Sequence, residues 1–248
     1  GDLDSTSLED DVEGLTVRHV DPLFFPIVNG SHTIQQPNDK NAQLDGGATY
    51  FYNYYGIEVT SDVYGFPIDK DERSGIFVQI NNLGDQTKWN HNAINVGWHV
   101  EPGLYSDSKT HFYVHWTSDG YEATGCYNLM CPGYKIDDNS HILPGGDEIR
   151  DWLVYIEINS EPCLIGQFPK SLFTSLGDKA DNIRLGGFVV TRTTKMALMG
   201  SGFLPNNTKA ASLSNIQLIN KDGKASKNIY SVSPISVEGK FTCGGPLE

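Results

Sequence analysis

Between Ala93 and Tyr134 the chain sets imidazole, phenol, amide and carboxylate side chains at every second position. Ile94, Val96, Trp98 and Val100 alternate with Asn95, Gly97, His99 and Glu101, the period of a strand with one apolar and one polar face. Pro102-Gly103 interrupts, and the alternation resumes with Phe112, Val114 and Trp116 against His111, Tyr113 and His115. Such a polar face suits hydrogen bonding or proton transfer in a groove. It does not suit a metal centre, because four residues along a strand span about 13 Å, whereas ligand bonds are about 2 Å. No metal and no other cofactor is expected. Cys126 and Cys131 then bracket four residues, a spacing that fits a small disulfide loop.

Other reactive residues offer less. Ser201, in Met199-Gly200-Ser201-Gly202, lacks the strand-to-helix elbow of a hydrolase serine and reads as a tight-turn residue. Neither a phosphate loop nor a paired Cys-x-x-Cys motif is present. Cys163 and Cys243 are left as a long-range second bridge, and an even cysteine count suits an oxidising compartment. Asn29 and Asn206 head N-glycosylation sequons. Tyr50, Tyr52 and Tyr54 share one face of a strand, either as core or, if exposed, as a stacking platform for sugars or a proline-rich peptide.

The elements that position these residues are short strands. The 248 residues include 26 Gly, 12 Pro and 12 Tyr, with 20% charged, a turn-rich β composition. Strands are predicted at 48–55, 57–63, 76–81, 93–100, 111–117, 152–158, 183–190 and 211–220, each bounded by turn residues. One short helix is predicted over 169–176, started by Pro169 and ended by Gly177. With no internal repeat, the expected architecture is an all-β, antiparallel sandwich of two packed sheets over 46–248, preceded by an acidic, partly extended arm over 1–45.

The net charge of −13 disfavours nucleic acid and anionic membrane surfaces as partners. No apolar run is long enough to insert into a membrane. The opening Gly-Asp-Leu-Asp is not a signal sequence, so a secreted, already processed chain is expected, in an apoplast or cell wall. The oligomeric state is left open.

Several phrases in one order resemble the neprosin family of secreted plant proteins. They are Ile94-Asn95-Val96-Gly97-Trp98-His99-Val100, Trp116 to Tyr121, Thr124 to Leu129, Cys131-Pro132-Gly133-Tyr134, Ile165 to Pro169, Met199 to Gly202, and Cys243-Gly244-Gly245-Pro246. The wording looks most like grass members. The resemblance implies a sandwich related to fungal glutamic peptidases and, in active relatives, acid cleavage after proline by two glutamates. One glutamate position of such relatives is Asn95 here, and the other, directly after Gly186-Gly187, is Phe188. A further glutamate common two residues before that Gly-Gly pair is replaced by Arg184. Loss of a general base alone costs about 10²- to 10⁴-fold in rate.

The expectation is therefore a peptidase-like protein that is not an enzyme. It binds a peptide, proline-rich or otherwise, a glycan or a protein in a groove walled by Asn95, His99, Tyr113, His115, Arg184 and Phe188. Two alternatives remain at this stage. One is an active acid endopeptidase that has recruited Glu157, Glu58 or Asp119. The other is a lectin-like module reading glycans through exposed Tyr50, Tyr52 and Tyr54.

Overall fold

The computed structural model describes residues 12–19, 41–49, 53–84, 90–137, 151–158, 161–177, 179–191, 198–203, 207–226 and 232–237. The strands are β1 (Val12–His19), β2 (Asn41–Thr49), β3 (Gly56–Ser61), β4 (Arg73–Asn82), β5 (Asn92–Val100), β6 (His111–Thr117), β7 (Cys126–Tyr127), β8 (Lys135–Ile136), β9 (Trp152–Ile158), β10 (Glu161–Phe168), β11 (Asn182–Thr191), β12 (Leu213–Ile219), β13 (Ala225–Ser226) and β14 (Val232–Val237). They form two sheets of seven strands, ordered β13-β12-β3-β1-β9-β10-β8 and β14-β2-β11-β4-β5-β6-β7, with antiparallel pairing throughout.

Alternation decides which face each sheet buries. Ile57 and Val59 of β3 and Val154 and Ile156 of β9 meet Val78 and Ile80 of β4, Ile94 and Val96 of β5, Val114 of β6, and Ile183 and Leu185 of β11 in one core. The expected antiparallel sandwich is the observed one. Because one face of β4, β5, β6 and β11 is spent on this core, Gln79, Asn95, His115 and Arg184 stand on the opposite face.

Two local features differ from the sequence expectation. The segment over 169–176 contains only a 3-10 turn at Lys170–Leu172, and Phe173 is already extended (φ −115°, ψ 150°). Asn92 explains the early stop. Its buried side-chain oxygen accepts from the amides of Thr174 (2.8 Å), Ser175 (3.1 Å) and Leu176 (3.2 Å), groups a helix would have used for its own ladder. The α-helix of the described residues is instead one turn at Pro102–Tyr105, where Pro102 occupies the first turn and Ser106 closes it in the left-handed conformation (φ 63°). Strand β10, which breaks strict alternation at Pro162 and carries a register shift between Leu164 and Gly166, has no counterpart among the expected strands.

The N-terminal segment enters both sheets. Strand β1 pairs with β3 on one side and β9 on the other, and the expected division at residue 45 falls inside β2. Tyr54 and Tyr55 are both buried in the core, 5% and 2% exposed, whereas Tyr50 and Tyr52 lie outside the described residues.

Candidate functional site

The outer face of the second sheet is organised by register. Arg184 pairs with Gln79, Gln79 with Asn95, Asn95 with His115, and His115 with Tyr127, so five side chains from β11, β4, β5, β6 and β7 stand on one cross-strand row. The neighbouring rows are Gly186, Phe77, Gly97, Tyr113 and Phe188, Gly75, His99, His111. All the groove residues named from the sequence thus share one face. They do not all share one place on it. Phe188 is four residues beyond Arg184 along β11, about 13 Å, and packs near Phe77, His99 and Tyr113 at centroid distances of 6.4, 6.5 and 6.3 Å. Arg184 is the residue of β11 level with Asn95, across one intervening strand.

His99 is the centre of the aromatic half. Its ring is fully buried, stacks on Tyr113 at 4.4 Å, and has Nε2 3.0 Å from the Tyr105 hydroxyl and Nδ1 3.4 Å from the Tyr127 hydroxyl. Burial, then the positive charge of Arg73 and the neighbouring His111, push its pKa down to about 3. The Glu101 carboxylate 3.5 Å from Nδ1 does not outweigh those effects, so the imidazole is neutral. His115 is lowered to about 4, by burial and then Arg73. Neither histidine carries a positive charge through most of the acidic range.

The row is buried at Arg184, Gln79 and Asn95 and half-buried at His115 and Tyr127. Asn95 is 2% exposed and accepts from the Tyr113 hydroxyl at 3.2 Å; Gln79 is 3% exposed. Arg184 is 6% exposed, donates from Nε to Asn182 Oδ1 at 2.8 Å, and is lowered in pKa by burial against the opposing influence of Asp181 and Tyr121. Tyr121 closes the row from above. Its ring packs on His115 at 4.7 Å and edge-on to His91 at 6.4 Å. The Tyr121 hydroxyl is out of contact with solvent, and no partner meets hydrogen-bond geometry. Burial raises its pKa; Gln79 and Arg184 beside it oppose that shift.

The turn carrying Tyr121 is fixed by Asp119. That carboxylate accepts from the amides of Glu122, Ala123 and Thr124 and from the Thr117 and Thr124 hydroxyls. Burial, which raises its pKa, is outweighed by these bonds, and the group is held below the usual carboxylate range. Asp119 is therefore committed to the turn. Glu58 and Glu157 alternate with core residues Ile57, Val59 and Ile156, which places them on the outer face of the other sheet, a sandwich thickness away from Asn95. Glu58 and Glu157 are thus out of reach of the row, and the Asp119 carboxylate is taken up by its own turn.

Gln79 and Tyr121 are not among the groove residues expected from the sequence. The alternation of Ile76, Val78 and Ile80 marks Gln79 as facing the other way, a signal legible in principle. Tyr121 sits in a turn, where no period points to a face. Cys126 and Cys131 are bonded, with Cα atoms 5.8 Å apart, and close the loop after β7, which pairs with β6 at Tyr127 and Cys126. Cys163 is exposed on β10; Cys243, Asn29 and Asn206 lie outside the described residues, so the second bridge and the two acceptor asparagines do too. Within the second sequon, Asn207 and Thr208 are exposed.

A family model described as Neprosin matches residues 70–149 and 146–242. The match spans β4 to β14 and includes every residue of the row.

Proposed function

The chain belongs to the Neprosin family, and on that premise we propose that it is a secreted, peptidase-inactive member that binds a peptide, glycan or protein ligand on the outer face of its second sheet. One observation carries this reading: the row Arg184, Gln79, Asn95, His115 and Tyr127 contains no carboxyl group. Acid cleavage of a peptide bond needs a base to take a proton from the attacking water and a group to donate to the oxyanion or leaving amine. Asn95 and Gln79 can donate. A guanidinium never accepts a proton at any working pH, a buried phenol does not ionise in acid, and His115 is held neutral but without a carboxylate to orient it.

A polar, aromatic-lined row that reaches the surface at half-buried His115 and Tyr127 on a rigid sheet is suited to recognition. It presents amide donors and acceptors, one cation, and stacked rings from Tyr113, His99 and Tyr127 whose mutual contacts fix their orientation. The disulfide of β7 and the sequons fit the secreted placement, and no helix of the described residues is long and apolar enough to cross a membrane. Incubation of the full chain with a proline-rich substrate from pH 2 to 7 tests the reading, with no cleavage expected; cleavage abolished by replacing one native acid would overturn it.

A further inference from the structure

We propose that His99 and Tyr105 form an acid-released latch, which holds the Pro102–Tyr105 turn down on the outer face of the second sheet at neutral pH and lets it lift as the pH falls. The latch itself is independent of what binds; its consequence for a ligand rests on the reading of this face as a binding cleft.

The first observation is the contact. His99 points outward from β5, on the same side as Asn95, and yet it is fully buried. The Tyr105 hydroxyl lies 3.0 Å from its Nε2, and the same hydroxyl accepts from Asn128 Nδ2 at 2.9 Å. An oxygen that accepts from Asn128 is left to donate to His99, so Nε2 is the acceptor and the ring proton sits on Nδ1, toward Tyr127 and Glu101. Protonation of Nε2 turns that acceptor into a second donor facing the hydroxyl, and the bond Tyr105 gives is lost.

The second observation is independent of the first. No residue of the Pro102–Tyr105 turn is buried, and Glu101 gives it no side-chain cap. The amides of Leu104, Tyr105 and Ser106 bond to the Glu101 and Pro102 carbonyls, within the turn itself. A single turn does not persist without tertiary support. Part of that support is the Tyr105 ring, stacked on His111 at 3.9 Å and edge-on to His99 at 5.4 Å. Beyond it, His111 Nε2 donates to Asp107 Oδ1 at 2.7 Å, a bond that holds the Asp107 carboxyl below the usual carboxylate range. That pair survives mild acid, so it is the side on which the turn pivots.

The third is thermodynamic. The groups that face His99 are Glu101 on its own strand, Arg73 on β4, Tyr113 and His111 on β6, Tyr127 on β7 and Tyr105 on the turn, with Phe188 of β11 as an apolar neighbour. The three phenols, raised in pKa by burial, stay neutral in acid. Glu101 favours a proton on His99 but is shared with Arg73, 3.8 Å away, and burial, together with Arg73 and His111, keeps the imidazole neutral down to about pH 3. With the turn lifted, the ring meets water and returns toward its ordinary 6.5. Between those values the lifted form takes up a proton that the closed form refuses, which shifts the balance toward lifting by about tenfold for each pH unit lost. Acid thus uncovers His99 for a ligand.

Hydrogen exchange of the full chain, followed by mass spectrometry from pH 7.5 to 4 and referred at each pH to the intrinsic exchange rate, tests this on the Leu104, Tyr105 and Ser106 amides. Their protection is expected to fall by about tenfold per pH unit below 6.5, while that of the β5 and β6 amides changes far less. In His99→Gln, which takes up no proton, protection of the turn is expected to stay flat. Tyr105→Phe keeps the ring and loses the hydroxyl; it is expected to lower protection several-fold already at pH 7.5, and it carries the test by itself if His99→Gln does not fold. Protection of the turn that is independent of pH, or that falls only together with that of β5, overturns the latch, as does unchanged protection in Tyr105→Phe. Each of these outcomes leaves the cleft reading standing, since no ligand enters the measurement.

Discussion

Asn95 and Arg184 stand on one cross-strand row, each register-paired to Gln79 between them, about 10 Å apart at the backbone. Phe188, the residue directly after the Gly-Gly pair, is not on that row. Register therefore singles out position 184 as the one on β11 that is level with position 95. A carboxylate dyad rebuilt there tests the scaffold.

The double variant Asn95→Glu with Arg184→Glu is expected to cleave a proline-rich substrate at pH 3 to 5, about 10²-fold or more above the native chain. Asn95→Glu with Phe188→Glu is expected to stay at the native level, because its two carboxyls are too far apart to act on one peptide bond. Mass spectrometry of the products checks both, and activity in the second variant alone would move the catalytic row to Phe188.

How much of this was legible in the residues depends on period. The alternation in β5 and β6 fixes which side chains face outward, so spacing alone places Asn95, His99, Tyr113 and His115 on one face, and the two-sheet sandwich follows from the number and brevity of the strands. Register between distant strands is not written in any one strand. That Arg184 and not Phe188 meets Asn95 depends on how β11 slides against β4, a non-local choice set by core packing of Ile183 and Leu185. The helix expected over 169–176 failed for a similar reason: Asn92, eighty residues away in sequence, takes the amides the helix needed.

That capture gives a stability prediction. Asn92→Ala strands three amides whose acceptor is removed, and also deletes the donor that reaches Ser118 O at 2.9 Å. At about 1 kcal/mol for each of these four lost bonds the cost is about 4 kcal/mol. Asn92→Asp, which keeps the accepting oxygen, is expected to cost less. Denaturant unfolding followed by tryptophan fluorescence orders the two variants.

His99 sets an acid limit on the fold. Its folded pKa of about 3 lies below the ordinary 6.5, so between these values the unfolded chain binds the proton that the folded chain refuses. The contribution of neutral His99 is complete above about pH 6.5 and is lost as the pH falls toward 3. His115, at about 4, adds in the same direction. His99→Gln, which cannot be protonated, is expected to flatten the decline of melting temperature between pH 6.5 and 4; an unchanged decline would place the acid sensitivity elsewhere.

Asp181 works the other way. Burial raises its pKa from 3.8 to about 7, against hydrogen bonds from the Leu83 and Gly84 amides and the charges of Lys179 and Arg184. Here the folded chain holds a proton that the unfolded chain has already released. The resulting stabilisation is complete below about pH 3.8 and disappears as the pH rises through 7. Asp181→Asn mimics the protonated side chain and keeps the oxygen that accepts from Leu83. It is expected to match the native melting temperature at pH 4 and to exceed it at pH 8.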